Sequence, residues 1–193
     1  MKNIIRFHFH ESIKSTILIT INSLILITTY SQTVEQNFDQ AQSRHEAGDY
    51  TGSIKYLNEI IKSDPNNFAA FYNRGQAKFN LGDYLGAIDD YNRAIEIYPQ
   101  YFDAFAGRGN VKGFMADYLG AVSDFTSAIL LYQENLKSKT PIILQDQKIA
   151  RWYLLRGSYK HLLNDKINGC LDLSKAGELG LTEAYKLINK YCN

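Results

Sequence analysis

Three stretches of the sequence decide the fold: HEAGDYTGSIKYLNEIIKSDPNN at 45–67, FNLGDYLGAIDDYNRAIEIYPQ at 79–100 and GFMADYLGAVSDFTSAILLYQE at 113–134. They align without gaps at a spacing of 34 residues, and every one contains an Asp-Tyr pair in the same column. A fixed period of this length is typical of repeat architectures, in which each unit buries its apolar face against its neighbours. The chain is therefore predicted to be an array of similar units.

These stretches resemble the tetratricopeptide repeat, and the resemblance covers nearly all of the chain after residue 33. It implies an all-α fold, an α-α superhelix (solenoid) of stacked antiparallel helix pairs. We place the first three repeats at 34–67, 68–101 and 102–135. The family has small residues at the eighth and twentieth positions, where two helices approach closely. Here these are Ala41, Gly75 and Gly109, and Ser53, Ala87 and Ala121.

Each repeat also carries signals for the ends of its helices. Gly48 and Gly82 suit the residue that follows a helix, and the aspartate after each of them suits the N-cap of the next helix. Pro65 and Pro99 end the second helix of the first two repeats. Gln133 takes that column in the third repeat, so its second helix is predicted to run on.

A fourth, degenerate repeat is predicted at 150–181, with Gly157 at the eighth position and Asp165 in the turn. Fourteen extra residues, 136–149, separate it from the third repeat. They include Thr140-Pro141, which resembles a helix N-cap followed by a proline in the first turn. We therefore expect a helical insertion there.

The last residues, 182–193, are predicted to form an amphipathic capping helix with Thr182 as its N-cap. A closing helix of this kind keeps the end of a solenoid soluble. The C-terminal part also resembles exported bacterial repeat proteins of the tetratricopeptide and Sel1-like type.

Residues 1–31 have the composition of a secretory signal peptide. Basic residues near the start precede an apolar run at 16–29 and then small residues before a polar stretch. The run is shorter than the ~20 residues that span a bilayer, so we expect cleavage after Ser31 and a periplasmic or secreted protein that is not inserted in the membrane. The alternative is an uncleaved N-terminal anchor.

The charge balance argues against a nucleic-acid partner. The chain has 21 basic and 20 acidic residues, of which three basic and one acidic lie in 1–31, so 18 basic and 19 acidic residues remain. A net charge near −1 provides no basic surface for phosphate groups or an anionic membrane.

Arginine and aspartate recur together in the second to fourth repeats. They are Arg74 with Asp90, Arg108 with Asp124, and Arg156 with Asp172. A buried arginine needs a counter-charge, so we predict structural ion pairs between the two helices of each repeat. Pairing between neighbouring repeats is the second possibility, and a basic stripe for anionic ligands is the functional alternative.

The resemblance implies that the first helices of successive repeats line a concave groove. Its side chains would be Phe38, Gln42, Tyr72, Gln76, Phe79, Asn80, Asn110 and Phe114. Aromatic rings supply contact area and amides pair with backbone groups, which suits an extended or helical peptide. Packing between repeats is the alternative role of each ring. The family's carboxylate clamp has lysines where Phe38, Tyr72 and Ala106 stand, so that specificity is not predicted.

The two cysteines, Cys170 and Cys192, leave two possibilities. In an oxidising compartment a disulfide would tie the terminal helix to the fourth repeat; free thiols are the other state. A Cys–His nucleophile would need His45 or His161, and neither lies in a recognisable catalytic context.

No metal-ligand spacing, phosphate loop or nucleophile motif occurs, and we expect neither enzymatic activity nor a cofactor. The predicted function is a scaffold that binds a protein or peptide partner in the groove. The alternative is a structural subunit of a larger complex of the cell envelope.

Overall fold

The computed structural model describes residues 31–137 and 147–192. Within these ranges the chain forms nine helices and no strand. The helices are α1 at 31–46, α2 Tyr50–Ser63, α3 Phe68–Asn80, α4 Tyr84–Ile97, α5 Phe102–Phe114, α6 Tyr118–Lys137, α7 Gln147–Leu162, α8 Lys166–Glu178 and α9 Glu183–Tyr191. The all-α fold is confirmed.

The helices stack in chain order. From α2 onward each helix packs against the next one, and α3 also contacts α5. Loops of a few residues join most of the consecutive helices, so neighbours in the chain run antiparallel. The result is a solenoid in which α1, α3, α5 and α7 are the first helices of their pairs.

The turn between the two helices of a pair has the same geometry each time. The aspartate side chain accepts a hydrogen bond from the backbone N–H three residues later, as Asp83 does from Gly86 over 3.0 Å. The residue before the aspartate has a positive φ, 82° at Gly82. Ala116 and Asn164 adopt this conformation without being glycine, with φ of 63° and 65°. The turn therefore persists where the glycine signal is lost.

The second helices end where the prolines predict, except in the third pair. Helices α2 and α4 have 14 residues each, whereas α6 has 20. Gln133 lies inside α6, where a proline would have removed a hydrogen bond. This longer helix extends the predicted third repeat into residues 136 and 137.

The core is a row of clusters, each shared by successive pairs. Small residues leave room for large ones: Ala121 and Ala128 lie in the same cluster as Phe125 and Trp152. In the first pair Ile60 occupies the column that holds Ala94 and Ala128 in the next two pairs, and it is fully buried beside Leu57. Full burial of a leucine, isoleucine or phenylalanine side chain in this core stabilises the folded state by about 1.5–3 kcal/mol.

Helix α9 covers the C-terminal end of the stack. Its Ala184, Leu187 and Ile188 pack on Leu173 and Ala176 of α8. A disulfide bond between Cys170 and Cys192 joins the same two regions, with a Cα–Cα distance of 5.8 Å. Both a covalent and an apolar contact therefore hold the terminal helix in place.

Helix α9 begins directly after the predicted N-cap residue. Thr182 stands at the N-cap position, but its side chain makes no capping hydrogen bond. Its backbone is helical, with φ −63° and ψ −28°, and an N-cap side chain reaches the N–H groups of the first turn from a non-helical conformation.

Two predicted segments lie mostly outside the described residues. Residues 1–30 of the predicted signal peptide are not described, and neither are 138–146 of the predicted insertion. Among the helices that the structure does describe, none is long and apolar enough to span a membrane.

Candidate functional site

The first helices of the pairs form a groove with two adjoining cavities. One has a volume of about 380 Å³ and lies between α1 and α3. The other has a volume of about 330 Å³ and extends across α3 and α5 to α7. His45 and Gln76 line both cavities, so the two adjoin along one face of the solenoid, which we call the groove.

The cavity between α1 and α3 is lined by polar side chains around one ring. Phe38 forms its apolar wall, and Gln42, Asn73 and Gln76 contribute amides. Gln42 also donates to Glu46 over 2.9 Å, which uses one oxygen of the nearest carboxylate.

The cavity from α3 to α7 combines rings with exposed amides. Tyr72 and Phe79 are half-buried, whereas Asn80 and Asn110 are exposed. Trp152 closes the far wall from α7. Amide groups can donate and accept hydrogen bonds at once, so this lining matches the N–H and C=O groups of a peptide backbone.

Tyr72 is held in the groove by a hydrogen bond and a ring contact. Its hydroxyl accepts a hydrogen bond from the Gln76 amide over 2.9 Å, and its ring lies 5.1 Å from that of Tyr101. Desolvation by burial, and then the charge of Asp103, raise the pKa of Tyr72 above its ordinary value. The phenol therefore stays protonated and can donate a hydrogen bond to a carbonyl group.

The charges in the α3–α7 cavity are paired with each other. Lys148 of α7 reaches Asp103 of α5 over 3.0 Å, and its ammonium group lies 5.7 Å from the centre of the Phe102 ring. Asn80 and His45 contact each other over 3.3 Å between neighbouring pairs. The groove is consequently polar but nearly neutral.

The structure brings seven of the eight predicted groove residues to the cavity walls. Phe38, Gln42, Tyr72, Gln76, Phe79, Asn80 and Asn110 line one cavity or both. Phe114 does not, because its exposed ring packs on Phe79 and Tyr84 at centroid distances of 5.9 and 5.0 Å.

Sequence reasoning placed the first helix of the fourth repeat, α7, along the groove but missed the two residues by which this helix lines the cavity. Lys148 and Trp152 line the cavity, although a repeat starting at 150 places Lys148 before its first helix. Helix α7 begins at Gln147, so the insertion contributes to the groove. The signal that could have identified this wall is Trp152, the only tryptophan of the chain.

Each of the three recurring arginines pairs with an aspartate of its own helix pair. Arg108 donates to both carboxylate oxygens of Asp124, over 3.0 and 2.7 Å. The same two-point contact joins Arg74 to Asp90 and Arg156 to Asp172. Asp124 is only 2 % exposed, so these arginines balance buried charge and do not form a stripe for anionic ligands.

Two further partners of these ion pairs were not foreseen. A lysine one helical turn after each arginine, such as Lys112, binds the same aspartate over 2.9 Å. The remaining guanidinium nitrogen reaches back to the preceding pair, from Arg74 to Asn58 and from Arg108 to Asn92. Asn58 and Asn92 are 34 residues apart, a column that could have been recognised.

Among the described residues, the cysteines and histidines form no candidate nucleophile. Both thiols are oxidised in the Cys170–Cys192 disulfide. His161 instead stacks on Tyr191 of α9, with 4.1 Å between ring centroids. Within the described residues, no group of three or more His, Cys, Asp or Glu side chains is arranged to hold a metal ion.

Comparison with known proteins supports the repeat reading. A family model of the tetratricopeptide repeat matches residues 38–102. No curated protein sequence matches the chain.

Several solved structures share the fold at low sequence identity. MamA 41-end from Desulfovibrio magneticus RS-1 is 21% identical, with 77% of this chain and 76% of that chain covered and a TM-score of 0.65. The TPR2B domain of yeast Sti1, solved as a complex with pHsp70, is 20% identical, with 66% and 98% covered and a TM-score of 0.58. The second TPR domain of human RPAP3, in complex with the HSP70 peptide SGPTIEEVD, is 27% identical, with 52% and 84% covered and a TM-score of 0.50.

Proposed function

We propose that this chain is a non-catalytic scaffold that binds a peptide segment of a partner protein along the groove. The observation that carries the proposal is the pair of adjoining cavities along α1, α3, α5 and α7, whose walls combine amides with aromatic rings. Volumes of this size, about 380 and 330 Å³, are at the lower end of the range that small-ligand sites occupy. A groove that runs along several helices suits an extended peptide better than a compact ligand.

The proposed partner segment is largely uncharged. The peptide in the RPAP3 complex, SGPTIEEVD, carries three acidic residues. The groove here contains Lys148, and that lysine already pairs with Asp103. An acidic peptide would have to compete for this lysine while it approaches Glu46 and Asp103, so it gains little from the groove.

Affinity is proposed to come from the side-chain amides and the aromatic rings of the groove. Asn80, Asn110 and Gln76 would pair with main-chain groups of the peptide, and an apolar side chain would enter between Tyr72, Phe79 and Trp152. Neutral hydrogen bonds contribute about 0.5–1.5 kcal/mol each, so several of them must act together.

We further propose that the scaffold acts outside the cytoplasm, after removal of residues 1–31. The composition of that segment supports this location, as does the disulfide between Cys170 and Cys192, because disulfides persist in oxidising compartments.

The test is selection of peptides from a random library on the purified protein, followed by measurement of their affinity by fluorescence anisotropy. The variant Gln76→Ala/Asn110→Ala removes two groove amides and should weaken a selected peptide by about tenfold, the equivalent of 1.4 kcal/mol. The matched control is Gln100→Ala, an exposed amide in the loop before α5. Equal affinity for the groove variant and the control would exclude the groove as the binding site.

A further inference from the structure

Large apolar side chains that line neither cavity of the groove are exposed along one edge of the solenoid. Leu85, Leu119 and Ile167 occupy the same position in three successive turns and are 68%, 71% and 78% exposed. Single exposed leucines are ordinary. A column of them at the same position in three repeats is not explained by chance exposure.

More of these side chains belong to the same edge. Eight of the twelve large apolar residues that are exposed in the described chain lie at the end of an odd-numbered helix or the start of the next. We call them the turn edge: Leu81, Leu85, Phe114, Met115, Leu119, Leu162, Leu163 and Ile167. The first pair has Ala47 and Thr51 at these positions, so the turn edge begins at the turn between α3 and α4.

Ring contacts show that the turns lie side by side. Tyr84 at the start of α4 packs on Phe114 at the end of α5, with 5.0 Å between centroids. Tyr118 at the start of α6 stacks on Tyr159 of α7 over 5.5 Å. Packed helices are about 8–10 Å apart, so the apolar groups repeat along the edge at roughly that interval.

The turn edge is also negatively charged. Asp83, Asp117 and Asp165 are exposed N-cap residues, and none of them pairs with a cation among the described residues. At Asp83 and Asp117 the nearest lysines do not offset this charge, because Lys78 and Lys112 bind the buried Asp90 and Asp124. At the third turn the exposed Lys166 stands next to Asp165, so the negative charge is concentrated at the first two turns. A carboxylate that caps a helix still attracts cations.

The apolar side chains and the aspartates together restrict the kinds of molecule that can bind the turn edge. A second copy of the chain would bring aspartates against aspartates, and an anionic membrane would be repelled in the same way. A partner with basic side chains beside apolar ones would satisfy both features. Residues seven apart on a helix are about 10.5 Å apart, which is close to the interval between successive turns.

We infer that the turn edge is a second interaction surface, which binds a cationic amphipathic helix of a partner protein. Apolar side chains of that helix would cover Leu85, Leu119 and Ile167, and flanking lysines or arginines would face Asp83, Asp117 and Asp165. The surface is distinct from the groove, so one molecule can hold two partners at once.

The probe is a fluorescently labelled helical peptide of about 21 residues, or three heptads. Leucines repeat on one face and lysines flank them. Binding to the full-chain protein is followed by fluorescence anisotropy at low salt. The variant Leu85→Gln/Leu119→Gln/Ile167→Gln should weaken binding by about tenfold or more, and about 0.5 M NaCl should weaken binding to the parent protein.

Matched controls separate the turn edge from general stickiness. Leu130→Gln removes a leucine that is 60% exposed and lies eleven residues after Leu119 on α6, and it should bind the probe as the parent does. A probe with glutamates in place of the lysines should bind about tenfold more weakly or worse. Circular dichroism verifies that all variants keep their helix content.

The inference is overturned if the parent protein fails to bind the lysine probe, or if the turn-edge variant binds it as the parent does. It is also overturned if light scattering shows a dimer that the turn-edge variant loses, or if anionic phosphatidylglycerol vesicles bind through the same residues. A groove-selected peptide should bind the turn-edge variant unchanged, which separates this test from that of the proposed function.

Discussion

Arg108 donates a hydrogen bond to Asn92 over 2.5 Å, and this bond crosses from one helix pair to the next. The same guanidinium group holds Asp124 within its own pair. In a solenoid the stability is approximately a sum of terms within repeats and terms between neighbours. Arg108 contributes to both terms, and Arg74 repeats the arrangement with Asn58 and Asp90.

Removal of the buried carboxylate should be strongly destabilising. Asp124→Ala leaves Arg108 and Lys112 without their shared counter-charge. Breaking a buried ion pair by loss of one partner costs about 3–5 kcal/mol. Urea unfolding followed by circular dichroism measures the loss, with the exposed Asp89→Ala as the control, expected to change stability by about 0.5 kcal/mol or less. Equal effects of the two substitutions would contradict the structural role of Asp124.

Loss of the inter-repeat hydrogen bond should cost less. Asn92→Ala removes one neutral acceptor of Arg108 but leaves both contacts to Asp124. Hydrogen bonds to charged groups contribute about 1.5–3 kcal/mol at most, and we expect a value at the lower end because Arg108 is partly exposed. In the double variant Asn92→Ala/Asp124→Ala the two losses should not add, because both act through Arg108. Simple additivity would show that Arg108 does not couple the two repeats.

A third substitution tests the close approach of α7 and α8. A Cβ atom on Gly157 would lie 2.8 Å from the backbone oxygen of Gly169, whereas one on Gly75 would meet the Tyr91 ring at 3.0 Å. A ring can rotate or shift, but the helix backbone cannot do so without separating the pair. Gly157→Ala should therefore cost about 1–3 kcal/mol from overpacking, and more than the matched Gly75→Ala. Equal melting temperatures for the two variants would contradict this.

The repeat pattern allowed most of the scaffold to be predicted. Columns spaced 34 residues apart reflect local rules, such as an aspartate that caps a helix or a small residue where two helices touch. Such rules act within one repeat unit and recur with the period, so Asp83 and Gly157 could be placed correctly. The two-point contact of Arg108 with Asp124 follows from the same periodicity.

Other features depend on contacts that the pattern does not contain. Lys148 lies in the insertion, outside the period, so its place opposite Asp103 depends on how α7 packs. Phe114 carries a groove position in the pattern, but its ring packs on Tyr84 of the neighbouring turn. Thr182 has the side chain of an N-cap but a helical backbone, and its conformation is set by the turn before α9.

The disulfide offers a test of how the end of the stack is held. Cys170 and Cys192 are separated by 22 residues, and closing a loop of that length stabilises the folded state by about 3 kcal/mol in the chain-entropy model. Cys170→Ser/Cys192→Ser should lower the free energy of unfolding by that amount. Hydrogen exchange should show the loss first in α9, since Leu187 and Ile188 then hold the helix without the covalent link. Unchanged protection of α9 would mean that apolar packing alone fixes it.

Stability should fall at alkaline pH because buried tyrosines resist ionisation. Burial raises the pKa of Tyr101 to about 12, with a smaller effect from Asp103, and burial raises the pKa of Tyr91 further still. Above the ordinary value of about 10, these tyrosines lose protons in the unfolded chain but keep them in the folded one. The folded state then binds more protons, so the free energy of unfolding decreases as the pH rises from about 10 to 12.

Tyr91→Phe isolates the tyrosine contribution, because it removes the ionisable group and keeps the buried ring. Urea unfolding between pH 8 and 11 should show a shallower loss for Tyr91→Phe than for the parent protein, while the more exposed Tyr98→Phe follows the parent. Other groups that lose protons in this range do so in all three proteins, so their contributions cancel in the comparison. Identical pH profiles for Tyr91→Phe and the parent would show that burial of Tyr91 does not govern alkaline unfolding.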